Sequence, residues 1–131
     1  MPAAIDTSVL VEAEKLGDLA SLLPKDEGPF YVPAHAAAEF LVGVHLPVKA
    51  SLRERARRIY EDHMQQLVAS FTEADAAQLA MLTVELRRAG QTMGFFDTAI
   101  AATALARGDK LLVVDSDFDR LANRITLLKP R

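Results

Sequence analysis

Apolar and polar positions along this chain change their period several times, and the changes mark its elements. Ala3 to Ile5 is a short continuous apolar run that ends in Asp6-Thr7-Ser8. Such a run, bounded by turn residues, predicts a buried strand. Thr7 or Ser8 is placed to cap a helix over about Val9 to Leu16, which Gly17 punctuates. A short helical pattern from Asp18 stops before Pro24, and Lys25 to Pro29 is a polar turn with Gly and Pro. Phe30-Tyr31-Val32 is aromatic and β-branched, which predicts a second strand. Pro33 suits the first turn of a helix, where its missing N–H costs nothing. That helix runs to about Leu46, and Pro47 ends it.

From about Lys49 to Gln66 the pattern is amphipathic. Leu52, Ala56, Ile59, Tyr60 and Met64 fall near one face, while Glu54 with Arg58 and Arg57 with Glu61 stand at i,i+4 spacing on the other. Leu67 to Phe71 is a third strand candidate. Thr72 and Asp75 form a capping-box pattern, with Asp where Glu or Gln is usual. It opens a helix over about Glu73 to Ala89, with Gly90 as its stop. Asp97 opens an Ala-rich helix to Arg107 that ends at Gly108. Leu111 to Val114 predicts a fourth strand, Phe118 to Ala122 one helical turn, and Ile125 to Leu128 a last strand. Strands alternating with helices argue for an α/β fold, a parallel sheet covered on both faces.

Composition narrows the class. The 131 residues suit one domain, 1–131, without repeat or linker, and a hydrophobic half argues against disorder. Cysteine is absent, which excludes disulfides, thiolate metal sites and cysteine nucleophiles. No basic segment precedes an apolar run at the N-terminus, and no apolar stretch is long enough to span a bilayer. A cytoplasmic protein without a membrane partner is therefore expected. The net charge of −3 is unlike the basic balance common in nucleic-acid binders. Local patches nevertheless steer ligands, and acids gathered around a cation are partly neutralised there.

The acids carry the candidate chemistry. Ligands of open parallel sheets bind outside the carboxyl ends of the strands. Asp6 closes the first strand and Asp115 the fourth, so the two share a crevice if those strands are neighbours. Asp97 begins the helix that leads into the fourth strand. Glu39 lies about two turns into the helix after the second, within AAAEFLVG, where an unpaired buried Glu is costly. Asp117 and Asp119 follow Asp115 at alternate positions, and Arg120 offers Asp119 an ordinary surface partner. Carboxylates sharing one crevice must take up protons or bind a cation. An all-oxygen set without Cys suits Mg²⁺ or Mn²⁺. One ion with a general base, or two ions about 3.5–4 Å apart, would serve phosphodiester hydrolysis, and spacing does not choose between them. The three histidines, His35, His45 and His63, have no metal-ligand spacing, although His35 is placed to line the crevice mouth.

Four stretches, IDTSVLV at Ile5 to Val11, the Glu of AAAEFLVG, DTAIAATALARG at Asp97 to Gly108, and LLVVDSDFDRL at Leu111 to Leu121, come in an order that resembles a PIN-domain ribonuclease, more narrowly a VapC-type toxin. The resemblance covers essentially the whole chain. It implies a three-layer α/β/α sandwich around a parallel sheet of four or five strands, and an acidic pocket that binds Mg²⁺ or Mn²⁺ and cleaves RNA endonucleolytically. By the same resemblance Asp6, Glu39 and Asp97 are the first three acids, and the last is Asp115 or Asp117. Asp6, Asp97, Asp115 and Asp117 would be metal ligands. Ser8 falls where such proteins have a hydroxyl near the metal, and it is carried as a substrate-binding candidate. One departure is Val113, where the family often has a Thr whose hydroxyl reaches the acids. VapC-like proteins are usually homodimers inhibited by a small antitoxin. That places an antitoxin groove among the helices from Pro33 to Gln66.

RNA requires positive charge along its path. Arg53 and Arg57 on the amphipathic helix are the substrate-binding candidates, together with its Lys49, Arg55 and Arg58. Arg87, Arg88, Arg107 and Lys110 are others elsewhere. A non-toxin RNA-processing nuclease would share this chemistry, and two further rival readings use the same acids. One is a phosphomonoesterase with Asp6 as nucleophile, which expects a second acid where Ser8 stands. The other is a non-catalytic module whose acids receive a basic partner.

Overall fold

The computed structural model describes all of residues 1–131. Five strands form one all-parallel sheet: β1 (Ala3–Ile5), β2 (Phe30–Pro33), β3 (Val68–Ala69), β4 (Lys110–Leu112) and β5 (Leu127–Leu128), in the order β3-β2-β1-β4-β5. Five α-helices connect them: α1 (Thr7–Leu16), α2 (Ala34–His45), α3 (Ala50–Ile59), α4 (Glu73–Arg88) and α5 (Phe95–Arg107). The first two connections step outward from β1 to β2 to β3. The α4–α5 connection then returns past both to β4 on the other side of β1. Right-handed crossovers therefore put the two helix sets on opposite faces. Every residue of β1 is buried, as a central parallel strand requires. No helix is long and apolar enough to cross a membrane.

Local chemistry accounts for several element ends. Asp6 caps α1 by accepting from the Ser8 N–H, a role the sequence had pointed to at Thr7 or Ser8. Thr72 and Asp75 form both halves of the capping box on α4. Gly108 ends α5 at φ 66, a left-handed conformation that glycine adopts without steric cost.

Several boundaries differ from the sequence reading. α5 starts at Phe95, two residues before Asp97, and β3 and β5 are shortened to two residues each. The amphipathic stretch is not one helix to Gln66. α3 stops at Ile59, a π turn spans Tyr60–Met64, and a 3₁₀ turn spans Gln65–Leu67. Met64, expected on the apolar face, is fully buried at the end of the π turn. β4 ends at Leu112, and the Val113 N–H pairs with the carbonyl of Leu128 beyond the strand. Asp115 thus stands in the loop after β4 rather than at its last residue. The short pattern after Asp18 is a 3₁₀ turn, Ala20–Leu22, whose N–H groups the Asp18 carboxylate collects.

Candidate functional site

β1 and β4 are adjacent, with Ile5 beside Leu112, and the chain leaves them in opposite directions across the sheet. Their carboxyl ends therefore frame the crevice that open parallel sheets offer to ligands. The Asp6 N–H donates to the Leu112 carbonyl at 2.9 Å, the last backbone rung between the two strands. Past it opens a cleft of about 580 Å³. Asp6, Glu39, Asp97, Asp115 and Asp117 all line it, and so does Ser8. Asp6 comes from the end of β1, Glu39 from α2, Asp97 from the first turn of α5, and the last two from the loop after β4.

Asp6 is 2 % exposed. Its Oδ2 accepts from the Ser8 N–H at 3.1 Å and from the Ser8 hydroxyl at 2.6 Å. Its Oδ1 is buried without any partner. Burial pushes the Asp6 pKa up to about 6, against the pull of the Ser8 hydrogen bonds and with help from the Asp115 charge. Burial likewise raises Asp97 to about 6, reinforced by Asp6, Glu39, Asp117 and Asp115 in that order. Asp115 Oδ1 accepts from the Asp117 N–H at 3.2 Å, which tightens the loop that carries both acids.

This donor set suits a hard divalent cation. All its ligating atoms are oxygen, and one oxygen, Asp6 Oδ1, is closed off from solvent and short of a partner. No three of the carboxylates close on one point as a finished chelate. Mg²⁺ does not need that, because it keeps several waters and takes one or two carboxylates.

Other expected residues lie elsewhere. Asp119 is exposed and does not line the cleft. His35 is not at the mouth; its ring packs edge-on against Phe71 at 4.5 Å and Phe95 at 5.5 Å. Arg57 is held by Glu54 and Glu61, and Arg53 donates to the carbonyls of Val48 and of the cleft-lining Pro47; neither arginine itself lines the cleft. Arg107 is bound to Asp75 and Lys110 to Glu27. Glu14, by contrast, escaped the sequence reading. It lines the cleft and pairs with Arg55 across to α3 at 2.7 Å. The signal was present: Thr7, Val11 and Glu14 share one helical face at i, i+4, i+7.

The cleft also has an apolar arm. Val11, Phe40, Val44, Pro47, Leu52 and Ala56 line that arm, between α1, α2 and α3.

Comparison with known proteins agrees with this architecture. The chain is similar to VapBC2 from Rickettsia felis, solved bound to a DNA fragment from its promoter, at 17% identity and TM-score 0.78 over 98% of each chain. It is similar to VapBC-5 from Mycobacterium tuberculosis at 24% identity and TM-score 0.74, covering 100% of this chain and 99% of that one. It is also similar to FitAcB from Neisseria gonorrhoeae at 22% identity and TM-score 0.73 over 96% of each. At these identities the likeness speaks for the fold alone. No curated protein sequence matches the chain significantly. The family model for the PIN domain, however, matches residues 3–124, a span that holds all six acids lining the cleft, Glu14 included. This chain belongs to the PIN domain family.

Proposed function

We propose that this protein is a Mg²⁺- or Mn²⁺-dependent endoribonuclease and the toxin of a VapBC-type toxin–antitoxin pair. The observation that carries the reading is the convergence of Asp6, Glu39, Asp97, Asp115 and Asp117 on one cleft, with Asp6 Oδ1 buried and unpartnered. Asp6, Asp97, Asp115 and Asp117 would hold the ion. When bound it supplies Lewis acidity for phosphodiester hydrolysis. The chain's own part is positioning. Asp6 and Asp97 would bring charge from the end of β1 and from α5, and the Asp115–Asp117 turn would add its own from the loop after β4. Glu39 would take the proton of the attacking water at a carboxylate oxygen, as general bases of this type do.

The partner reading rests on the apolar arm. An extended or helical antitoxin segment would lay apolar side chains between α1, α2 and α3. An antitoxin Arg or Lys reaching the acids would supply a cation in place of the metal. Solved neighbours include VapBC complexes, which favours this partner class. Met81 and Val84, exposed and one turn apart on α4, offer a patch for a second copy of the chain.

The test is digestion of total RNA with Mg²⁺ or Mn²⁺. Wild type is expected to cut, EDTA to stop it, and Asp6→Ala or Asp97→Ala to lose activity by about a hundredfold or more. Variants that cut as well as wild type would remove the acidic cleft from the mechanism.

A further inference from the structure

Ser8 makes two bonds that join the ends of two strands. Its hydroxyl donates to Asp6 Oδ2 at 2.6 Å, and its oxygen accepts from the Val114 N–H at 3.0 Å. The backbone ladder between β1 and β4 has ended by then. Its last rung is the Asp6 N–H to Leu112 carbonyl bond, and the Val113 N–H has turned to Leu128 on the other side. The Val114 N–H would face the cleft side unpaired if the Ser8 side chain did not reach it. Ser8 therefore adds one further rung, made by a side chain, where α1 has already begun. The rung is placed between two acids: Asp6 is bonded directly to it, and Asp115 follows Val114 in the chain.

A serine hydroxyl has a single proton to give. That proton goes to Asp6, so Ser8 has none left for a substrate oxygen, which argues against the substrate-binding role expected from the sequence. Both Ser8 donors, its N–H and its O–H, fall on Asp6 Oδ2. This fixes the carboxylate in one orientation and leaves Oδ1 as the oxygen without a partner. Val113 and Val114 have no hydroxyl with which to anchor the β4 loop themselves.

We infer that Ser8 is a positioning residue whose hydroxyl sets the Asp6 carboxylate and the Asp115–Asp117 loop together, so that one side chain fixes the spacing between the first and last acids of the cleft. The inference rests on the reading of the acidic cleft as the active site. The effect on chemistry is indirect, because Ser8 acts through Asp6 and through the Val114 amide.

Three measurements test it on the whole protein: amide hydrogen exchange by NMR, calorimetric titration with Mn²⁺ alone, and RNA cleavage resolved into kcat and KM. In wild type the Val114 amide is expected to exchange at least about tenfold more slowly than the exposed Ser116 amide, since a hydrogen bond protects it. Ser8→Ala is expected to remove that protection while leaving core amides such as Leu112 slow. The same variant should weaken Mn²⁺ binding by about tenfold or more, in the range seen when residues supporting metal ligands are changed. It should lower kcat with little change in KM, and Ser8→Thr, which keeps the hydroxyl, should restore all three. A wild-type Val114 amide as fast as Ser116 would overturn the proposal without any variant, even if Ser8→Ala failed to fold. So would Ser8→Ala that frees Val114 but leaves Mn²⁺ affinity and kcat at wild-type values, since Ser8 would then only hold the backbone. A wild type that neither binds Mn²⁺ nor cuts RNA would instead remove the proposed function, while the Val114 result would still decide whether the rung exists.

Discussion

The carboxylate of Asp75, at the start of α4, is sealed from solvent and held by Arg107, at the end of α5, at 2.9 Å. The same Asp75 oxygen accepts from the Thr72 N–H at 2.8 Å, so the capping box and the ion pair share one atom. Arg107 also donates to the Ser70 carbonyl and lies over the Tyr31 ring at 5.1 Å. Burial by itself would raise the Asp75 pKa, but the bonds from Arg107 and Thr72 together outweigh it and hold the group below the usual carboxylate range. Its stabilisation is thus complete above the ordinary Asp pKa and is lost as pH falls through the lowered value. Breaking the pair by Arg107→Ala leaves a buried charge alone. A loss of about 3 kcal/mol is expected, at the low end for buried pairs because Arg107 keeps some solvent contact. Arg107→Lys should recover less than half, lacking the planar fork. Urea denaturation midpoints measure both, and a loss under about 1 kcal/mol for Arg107→Ala would show that the pair is a surface contact in effect.

Asp97 presents the opposite case, a carboxylate that the fold tolerates rather than needs. Its neighbours Asp6, Glu39, Asp117 and Asp115 all disfavour its charge. Asp97→Asn keeps the shape and removes one member of the repelling set. The metal-free variant is expected to melt a few degrees higher than wild type near neutral pH, while losing Mn²⁺ binding and RNA cleavage. Stability gained at the cost of activity is the usual signature of a site held under electrostatic strain. Thermal melts in EDTA give the answer, and a variant that melts lower than wild type would mean that Asp97 has a structural partner instead.

The raised pKa values set a pH dependence with a definite sign. Asp6 and Asp97 titrate at about 6 in the folded protein, against 3.8 ordinarily. Between those values the folded state holds more protons than the unfolded one, so metal-free stability falls as pH rises through that window and levels off above it. For the buried Asp6 alone the linkage is on the order of 2–3 kcal/mol. A divalent ion competes with those protons for the same oxygens. The rise in melting temperature on adding Mg²⁺ or Mn²⁺ should therefore be larger near pH 7.5 than near pH 5. An equal rise at both would place the ion somewhere other than on Asp6 and Asp97.

What was legible in the sequence follows from what is local. The Thr72–Asp75 box, the Gly108 stop and the apolar run before Asp6 each depend on residues close in the chain, and each stands where the pattern put it. The meeting of the acids depends on β1 lying beside β4, a pairing that chain order does not contain. It was reached through the rule for parallel sheets and through family resemblance. The cations were least legible. Arg107 and Lys110 read as open positive charge, because nothing near them in sequence announces Asp75 or Glu27 as partners. Arg57 was the exception, since its pairing with Glu61 at i+4 was visible on its own helix pattern, and Glu54 at i−3 joins it. Tyr60–Met64 failed for the converse reason: the helical period continues in the sequence through Met64, and no residue there announces the wider turn.

The apolar arm of the cleft supplies a test that separates the partner from the chemistry. Leu52 is 53% exposed on α3 and lines the apolar arm with Val11 and Pro47, and it is none of the groups proposed to hold the ion. Its side chain contributes little to the folded core, so Leu52→Asp should change stability by less than about 0.5–1 kcal/mol. An antitoxin segment docking on that arm would have to bury the new charge without a partner, which is costly. Binding to the product of an adjacent antitoxin gene, measured by calorimetry, should weaken at least tenfold, while RNA cleavage by the free protein stays within about threefold of wild type. Cells carrying the pair should then show toxicity that the antitoxin no longer suppresses. Unchanged affinity in Leu52→Asp would move the partner off the α1–α2–α3 arm, and a parallel collapse of cleavage would mean that the arm belongs to the RNA path.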